Sequence, residues 1–339
     1  MKKAFAFLVL TAFVLVWNGN TQAATSDLLA KAKMEGKVVF YSSFPVWVNK
    51  KLTNSFTKKY GIKAESFRAG SLKLLQKFYG EVKAGKQFAD VIHQTYLPGY
   101  WDMKKKGMIA KYDSPERRFY PAQFKDSEGF YTVVRLVAVF ISYNPRKISA
   151  SEAPKKWEDL LDPKWKGRLI SADFTYGGFQ LGTYHFWEKE FGLDFIRKLS
   201  KQNVTMVKSN GAAIRQLMSG EKPLMVMSWS YDSWYKRKKG RPVEIVIPKS
   251  KIPWGAGYVS ITAKAPHPNA AKLFEDFLLS AEGQAVVQSA GAYSARRDMP
   301  PIPGLPKLKD MDLVEMDWKD ISKQSKALQK KYLRAIRGQ

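Results

Sequence analysis

The sequence predicts an α/β protein of two lobes with a cleft between them. Three observations support this fold class. Residues 26–93 alternate helix and strand patterns, the alternation restarts near residue 166, and the 339-residue chain is longer than one ordinary core requires. Between the two series lies a β-rich run over 131–143, far longer than the usual strand of about five or six residues. We expect this run to pass from one lobe to the other as a hinge strand.

The first lobe contains three strand patterns and three helix patterns. Apolar runs ending in small polar residues predict strands over 37–43, 63–67 and 89–93. Amphipathic spacing, with glycines at the ends of the second and third segments, predicts helices over 26–35, 49–60 and 71–84. The carboxyl ends of parallel strands meet at one edge of a sheet, so the residues that follow these strands are predicted to face the cleft.

The second series of predicted strands and helices forms the other lobe, after which the chain returns to the first lobe. Strands are predicted over 166–171, 204–207, 224–228, 243–248 and 257–263, and helices over 179–191, 212–218, 268–279, 282–289 and 318–337. A proline-rich connector covers 300–306. The predicted division is therefore lobe 1 over 24–134 and 256–305, lobe 2 over 135–255, and a helical tail over 306–339. Two crossings between the lobes imply two hinge strands.

The N-terminus has the features of an export signal. Lys2 and Lys3 precede the uncharged run Ala4–Trp17, which is shorter than the roughly 20 residues of a membrane span. Small residues predict cleavage after Ala23, with Ala24 as the alternative. The chain has no cysteine, which excludes a lipid anchor, disulfides and thiolate chemistry. We expect a periplasmic protein that is not a lipoprotein.

The net charge of +27 leaves three kinds of partner to consider: nucleic acid, an anionic membrane surface and an anionic ligand. The basic residues occur as pairs and triplets on segments with the pattern of exposed helix faces. An arginine-rich arm, an aromatic RNA-binding motif and a zinc finger are all lacking. A solvated basic surface accounts for the charge, and we expect no nucleic-acid partner.

Enzymatic motifs are also lacking. His93, His185 and His267 are scattered, and there is no zinc-protease, nucleophile-elbow or phosphate-loop motif. The pair Gly177-Gly178 is too little for a dinucleotide site. The expectation is a binding protein without cofactor or resident metal, and an exported glycan-acting enzyme is the rival class.

The chain contains four sequence blocks whose order and spacing are distinctive. They are Val38–Ser43, the segment from Gly70 through Glu81 to Val91, Trp157–Arg168, and Ala265–Gln284 followed by Gly291 and Arg296-Arg297. In these blocks the chain resembles the bacterial extracellular solute-binding proteins, the family that includes ferric-iron binders. The resemblance implies the type II periplasmic-binding-protein fold. It also implies a protein that captures a small molecule and delivers it to the membrane permease of an ABC importer. We expect this protein to be a monomer.

The resemblance is weaker at the position of the iron ligands. For the ferric binders of this family, the resemblance implies that two adjacent tyrosines after a strand of the second lobe bind the iron. A His or Glu of the first lobe assists them. Here Tyr231 is preceded by Ser230, and only His93 or a displaced Tyr235 could assist it. Ferric iron prefers several anionic oxygen ligands. An organic or phosphate-bearing anion is therefore predicted ahead of iron, which would use Tyr231 and His93.

The predicted ligand-binding residues lie at strand ends, at helix starts and within the hinge strand. Helix starts present free amides and the positive end of the helix dipole to an anion, although Ser71 there is equally a plain N-cap. Arg135 interrupts an apolar strand, where a charge is costly unless it faces the cleft or pairs with an acid; both remain open. The set is Ser42, Ser43, Gly70, Ser71, His93, Gln94, Tyr96, Arg135, Tyr176, Gly177, Gly178, Asn210, Trp229 and Tyr231.

Overall fold

The computed structural model describes residues 26–337, which form eleven α-helices and ten strands. The predicted export signal, 1–23, lies outside them. No helix in the described range is both long and apolar enough to cross a membrane. The helices are α1 (26–35), α2 (Val46–Tyr60), α3 (Ser71–Lys83), α4 (Leu97–Lys105), α5 (Gly178–Phe191), α6 (Leu193–Ser200), α7 (Asn210–Ser219), α8 (Ser230–Lys238), α9 (Pro268–Leu279), α10 (Ala281–Gln288) and α11 (Trp318–Arg337). The strands are β1 (Lys37–Ser42), β2 (Lys63–Arg68), β3 (Val91–Gln94), β4 (Thr132–Tyr143), β5 (Leu169–Ala172), β6 (Thr205–Val207), β7 (Leu224–Trp229), β8 (Glu244–Val246), β9 (Ile252–Ile261) and β10 (Leu313–Glu315).

The strands follow the order β2-β1-β3-β9-β4-β7-β5-β6, with β10 beside β9 and β8 beside β4. Strands β2, β1 and β3 are parallel, as are β7, β5 and β6, and each group forms the sheet of one lobe. Strands β4 and β9 are antiparallel to each other and connect the groups. The two-lobed α/β fold is confirmed, with two strands shared between the lobes.

The register shows how β4 serves both lobes. Its first half pairs with β9, from Thr132 opposite Val259 to Ala138 opposite Trp254. Its second half turns to β7, with Val139 opposite Trp229. All twelve residues of β4 are buried, which explains the continuous β-branched and apolar sequence. Only Arg135 carries a charge in this strand.

Each lobe has an aromatic core. In lobe 1, Phe274 of α9 packs 4.9 Å from Phe40 and 5.0 Å from Phe56, measured between ring centroids, so the returning chain completes the lobe that β1 begins. In lobe 2, Tyr184 of α5 lies 5.1 Å from the ring of Trp187 and 5.9 Å from Tyr332 of α11. The last helix therefore docks on lobe 2.

Four elements are absent from the sequence prediction: α4, α6, α8 and β10. Helix α4 was not predicted because Pro98 and Gly99, residues that usually interrupt helices, lie in its first turn. In the segment after β7, the sequence Ser228-Trp229-Ser230-Tyr231 predicts an extended chain with Trp229 and Tyr231 on one face. That prediction is wrong, because α8 begins at Ser230 and places Tyr231 in its first turn. Asp232 near the start of α8 and Lys236 to Lys238 at its end match the helix dipole, and this signal identifies the helix.

The core of lobe 1 predicts a pH dependence of stability. Glu275 of α9 is buried, which raises its pKa from 4.5 to about 8, and neighbouring Asp276 adds to the shift. The folded protein thus holds this proton more tightly than the unfolded chain, so stability falls as pH rises from 4.5 through 8. We expect Glu275→Gln to match the wild type near pH 4.5. At pH 8 the variant should be more stable by at least about 2 kcal/mol in urea unfolding.

The exposed Glu158 supplies the control for this measurement. Glu158→Gln should retain the pH dependence of the wild type, because that side chain is exposed to solvent. A Glu275→Gln variant with the same decline between the two pH values would show that Glu275 ionises without cost in the folded protein.

Candidate functional site

The floor of the cleft is a stretch of β9 with glycine at alternate positions. Arg135 of β4 is paired with Gly257. A Cβ atom on Gly257 would lie 2.6 Å from Nε2 of His93 and 3.0 Å from Nε of Arg135. A Cβ on Gly255 would lie 2.6 Å from the ring of Phe179. Because residues two apart share one face of a strand, the bare backbone lets these three side chains approach closely.

Within residues 26–337, Arg135 is a buried charge without an acidic partner. Its side chain is 2% exposed, and Nε and Nη1 have no hydrogen-bond partner. The guanidinium carbon lies 4.3 Å from the ring centroid of Phe44 and 5.0 Å from that of Tyr231. Burial lowers the pKa of Arg135, but a guanidinium stays charged in proteins. The neighbours that act on this pKa are Tyr231 and Arg68, so the alternative of a salt bridge to an acid does not hold within residues 26–337.

His93 lies beside Arg135, and its Nε2 approaches the backbone of β9 at Gly257. The ring stacks on Phe44 with centroids 3.9 Å apart, and Nδ1 lies 3.1 Å from the hydroxyl of Ser42. That hydroxyl already accepts the amide of Phe44, and Nδ1 is the acceptor within reach of its proton. The proton of the imidazole therefore belongs on Nε2, which has no partner. Burial and the charge of Arg135 hold the pKa of His93 well below its usual value, so the ring is neutral at neutral pH.

Lobe 2 contributes the junction of β7 and α8. Nε1 of Trp229 and Oγ of Ser230 are buried without hydrogen-bond partners. The ring of Trp229 lies 5.8 Å from Phe179 and 5.9 Å from Tyr231. Burial raises the pKa of Tyr231 to about 12, so its phenol stays protonated. The junction offers an aromatic wall and several N–H or O–H donors.

The unpartnered atoms around Arg135 and at the junction of β7 and α8 share one chemical character. Ser43, His93 and Arg135 from one side of the cleft and Trp229 and Ser230 from the other all present buried groups able to donate hydrogen bonds. A buried donor without a partner costs about 1–3 kcal/mol, and a charged group costs more. The surroundings are mostly apolar, with Arg68 near Arg135 and the carboxylate of Asp232 held by Asn210. This arrangement fits an anionic group with several acceptor oxygens.

The lobes touch each other through two sets of aromatic contacts. Trp47 of α2 stacks on Tyr235 of α8 with centroids 4.0 Å apart and an interplanar angle of 19°. On the other side, Tyr96 packs against Gly178, where a Cβ atom would lie 2.6 Å from the tyrosine ring. Tyr96 also meets the ring of Trp318 at 6.0 Å. In the described conformation the two lobes are therefore in contact with each other.

Two of the predicted residues, Gln94 and Ser71, make their side-chain hydrogen bonds to nearby backbone groups of lobe 1. The amide of Gln94 closes the turn into α4 by accepting the amide of Tyr96 and donating to its carbonyl. The hydroxyl of Ser71 accepts the amide of Thr95 at 3.1 Å. The N-cap of α3 is Gly70, so the N-cap reading of Ser71 is wrong. Gln94 and Ser71 shape the loops of lobe 1 instead of pointing free donors at the cleft.

The remaining predicted residues lie at two helix starts in lobe 2. Tyr176 is 55% exposed, and Gly177 is the N-cap of α5, covered by the side chain of Gln180. Asn210 at the start of α7 donates from Nδ2 to the carboxylate of Asp232 at 2.9 Å, and its Oδ1 has no partner.

Sequence reasoning missed four residues that build the site: Phe44, Arg68, Ser230 and Gly257. Phe44 is the platform on which both His93 and Arg135 pack. Arg68 ends β2, and its Nε lies 3.4 Å from the carbonyl oxygen of Phe44. The signal that was available is the segment Gly255-Ala256-Gly257, since alternate glycines within a strand mark a close approach.

Comparisons with known proteins agree with this architecture. A family model described as bacterial extracellular solute-binding protein matches residues 86–322. The Fe(3+)-binding periplasmic protein of Serratia marcescens is 24% identical over 87% of this chain and 90% of its own length. The spermidine/putrescine-binding periplasmic protein of Salmonella typhimurium is 27% identical over 78% and 79%. The solved structure of the periplasmic binding protein AfuA from Actinobacillus pleuropneumoniae, with fructose-6-phosphate bound, is 25% identical and superposes with a TM-score of 0.78 over 89% of this chain and 99% of that one.

Proposed function

The chain belongs to the family of bacterial extracellular solute-binding proteins, the periplasmic components of ABC importers, and we propose that its ligand is a phosphate-bearing organic anion held between the lobes. The small molecule is captured in the cleft and passed to a membrane permease. The observation that carries the proposed ligand class is Arg135, a buried guanidinium with two nitrogens free of partners.

A phosphate ester matches the donors of the cleft. Its phosphate carries a charge of roughly −1.5 to −2 at neutral pH and three acceptor oxygens. The planar guanidinium of Arg135 can bind two of those oxygens in parallel. The Nε2–H of His93 and the hydroxyls of Ser43 and Ser230 complete the shell. Binding would supply partners for groups that are otherwise buried without any.

The rest of the ligand would lie against the aromatic side of the site. Trp229, Tyr231 and Phe179 form a wall with ring centroids about 6 Å apart. Sugar rings and heterocycles both pack on such surfaces. The similarity to a structure that contains fructose-6-phosphate supports the ligand class. We propose that Gly70, Tyr176, Gly177, Gly178 and Asn210 form the outer part of the site.

The cations bound by other relatives fit this cleft poorly. A polyamine would meet the positive charge of Arg135, beside which the described part of the chain places no acid. Ferric iron would find one protonated phenol, Tyr231, whose pKa of about 12 and position 5.0 Å from the Arg135 guanidinium both oppose a metal. His93, the other predicted iron ligand, is a single neutral nitrogen donor. Iron is therefore tested as the alternative ligand.

Titration calorimetry on protein stripped of ligand by unfolding and refolding tests the proposal. The panel contains hexose 6-phosphates, glycerol phosphate, nucleoside monophosphates, the parent alcohols of each, inorganic phosphate, spermidine and ferric citrate. We expect 1:1 binding of at least one phosphate ester and about 100-fold weaker binding of its parent, equivalent to about 2.7 kcal/mol. Equal affinity for the parent, tight binding of spermidine alone, or a tyrosinate–Fe(III) absorption band would each contradict it.

We further propose that the protein binds without turnover and acts as a monomer, exported with cleavage after Ala23 and without a lipid. Incubation with the bound ester should release no phosphate or alcohol. The pairing of β4 and β9 supports lobes over 24–134 with 256–305 and over 135–255. The tail over 306–339 packs through α11 on α5 and α6. The intact mass of the exported protein and its elution volume test cleavage and oligomeric state.

A further inference from the structure

A second group of chemically active side chains lies on lobe 2, where α11 packs on α5. His185 of α5 and Asp317 and Asp320 at the start of α11 place one ligand atom each within 4.8 Å of one another. Among the described residues this is the one convergence of three or more His, Asp or Glu side chains. We propose that these three residues bind a divalent metal ion of the zinc class, at a site separate from the ligand cleft.

The hydrogen bonds around His185 determine which of its nitrogens is free. Tyr332 donates its hydroxyl proton to Glu188 at 2.7 Å. The same hydroxyl lies 3.1 Å from Nδ1 of His185, so it must accept the Nδ1 proton. In the neutral ring the lone pair is then on Nε2. A histidine that donates its other nitrogen to a hydrogen-bonded chain is the usual arrangement of a metal ligand.

That lone pair faces a carboxylate. Nε2 of His185 lies 3.0 Å from Oδ2 of Asp320 without the geometry of a regular hydrogen bond, and the residue is only 3% exposed. Two lone pairs at this distance repel unless a proton or a metal ion lies between them. Ligands at about 2.0–2.1 Å from a tetrahedral zinc ion stand roughly 3.3 Å apart. The observed separation is near the spacing that zinc requires.

The two aspartates are held in place by other contacts. Oδ1 of Asp317 accepts the amide of Asp320 at 2.9 Å as a helix cap, and Gln324 donates to Oδ1 of Asp320. Each carboxylate therefore keeps its second oxygen for a metal. Lys189 lies 3.6 Å from Oδ2 of Asp320, but its side chain is mostly in solvent and can turn away. One nitrogen and two carboxylate oxygens, with water in the fourth position, form a zinc-type ligand set.

We expect the bound ion to stabilise the fold and to take no part in a reaction. The ion would join α5 to the start of α11, beside Trp318, which also meets Tyr96 of lobe 1. Binding to the folded state only would raise the melting temperature by mass action. The site does not include any residue of the proposed ligand cleft.

The test uses chelator-treated protein and Zn(II), followed by calorimetry and melting temperature, with Co(II) absorption to report four-coordinate geometry. We expect one equivalent bound by the wild type and by His93→Ala, which removes the cleft histidine. Asp317→Asn and Asp320→Asn should bind about tenfold more weakly or worse. The first variant keeps the helix cap, since Asn is as good a cap as Asp.

The matched control is His267→Gln. His267 also faces an aspartate, with Nδ1 2.9 Å from Oδ2 of Asp90, but it has no third ligand. This variant should bind Zn(II) like the wild type. The absence of 1:1 uptake by the wild type at millimolar Zn(II) would overturn the proposal, as would equal uptake and equal metal-induced stabilisation in both aspartate variants. Neither outcome bears on the cleft, because phosphate-ester binding is measured separately.

Discussion

Replacing Arg135 with methionine is expected to abolish tight binding of the phosphate ester while leaving the ligand-free protein at least as stable as the wild type. Removing one partner of a buried, hydrogen-bonded charge pair costs about 2–5 kcal/mol of binding energy, a roughly 30- to 4,000-fold loss of affinity. In the ligand-free protein the same guanidinium is buried without an acid, so an apolar side chain of similar length removes a desolvation cost. Calorimetry and thermal melting measure the two effects.

Arg117 provides the matched control, since it is a buried arginine with partners. It contacts Asp113 at 3.0 Å and donates to Thr132 and to two backbone carbonyls. Arg117→Met should therefore lower the melting temperature and leave the affinity of the folded protein nearly unchanged. The opposite pattern at Arg135, a loss of stability with an intact dissociation constant, would assign that residue a structural role.

The second large effect is expected from Gly257→Ala. The added methyl group would lie 2.6 Å from Nε2 of His93 and 3.0 Å from Cγ and Nε of Arg135, so both side chains must shift. Contacts of this kind must be held within a fraction of an ångström for tight binding. We expect calorimetry to give a dissociation constant at least tenfold larger than that of the wild type, which is a loss of about 1.4 kcal/mol of binding free energy. The enthalpy of binding should become less favourable as the hydrogen bonds lengthen.

Gly80 in α3 is the control for this substitution. A Cβ atom at Gly80 meets nothing within 4 Å, and alanine is the better helix former, so Gly80→Ala should bind normally and melt slightly higher. If Gly257→Ala binds the ester as tightly as the wild type, the floor of the cleft lies elsewhere.

Much of the fold could be predicted because its signals are local. The apolar run over 131–143 is long enough to identify a hinge strand, and it forms β4. The helix over 318–337 has the bounds that its periodicity indicates. Elements whose local sequence features favour different secondary structures were not predicted. In α8, serine and aromatic residues of modest helix propensity concealed the charge pattern at its two ends, so a helix was taken for an extended wall.

The site was predictable only where one residue breaks the pattern of its surroundings. Arg135 stands out as a charge in an apolar strand, yet the sequence leaves open whether an acid lies beside it, because that depends on distant residues. Ser71 and Gln94 are polar at strand and helix ends, as ligand contacts are, but local backbone groups occupy them. The platform made by Phe44 required knowledge of how the strand turns after Ser42.

A distance measured across the cleft tests ligand capture between the two lobes most directly. The chain has no cysteine, so Val46→Cys on lobe 1 and Lys208→Cys on lobe 2, both exposed, give a unique pair of spin labels. The phosphate ester should shorten and narrow the distance distribution, whereas the parent alcohol, or the ester added to Arg135→Met, should leave it unchanged. A distribution that stays the same with the wild-type cleft saturated would show that the ligand is not enclosed by closure of the lobes.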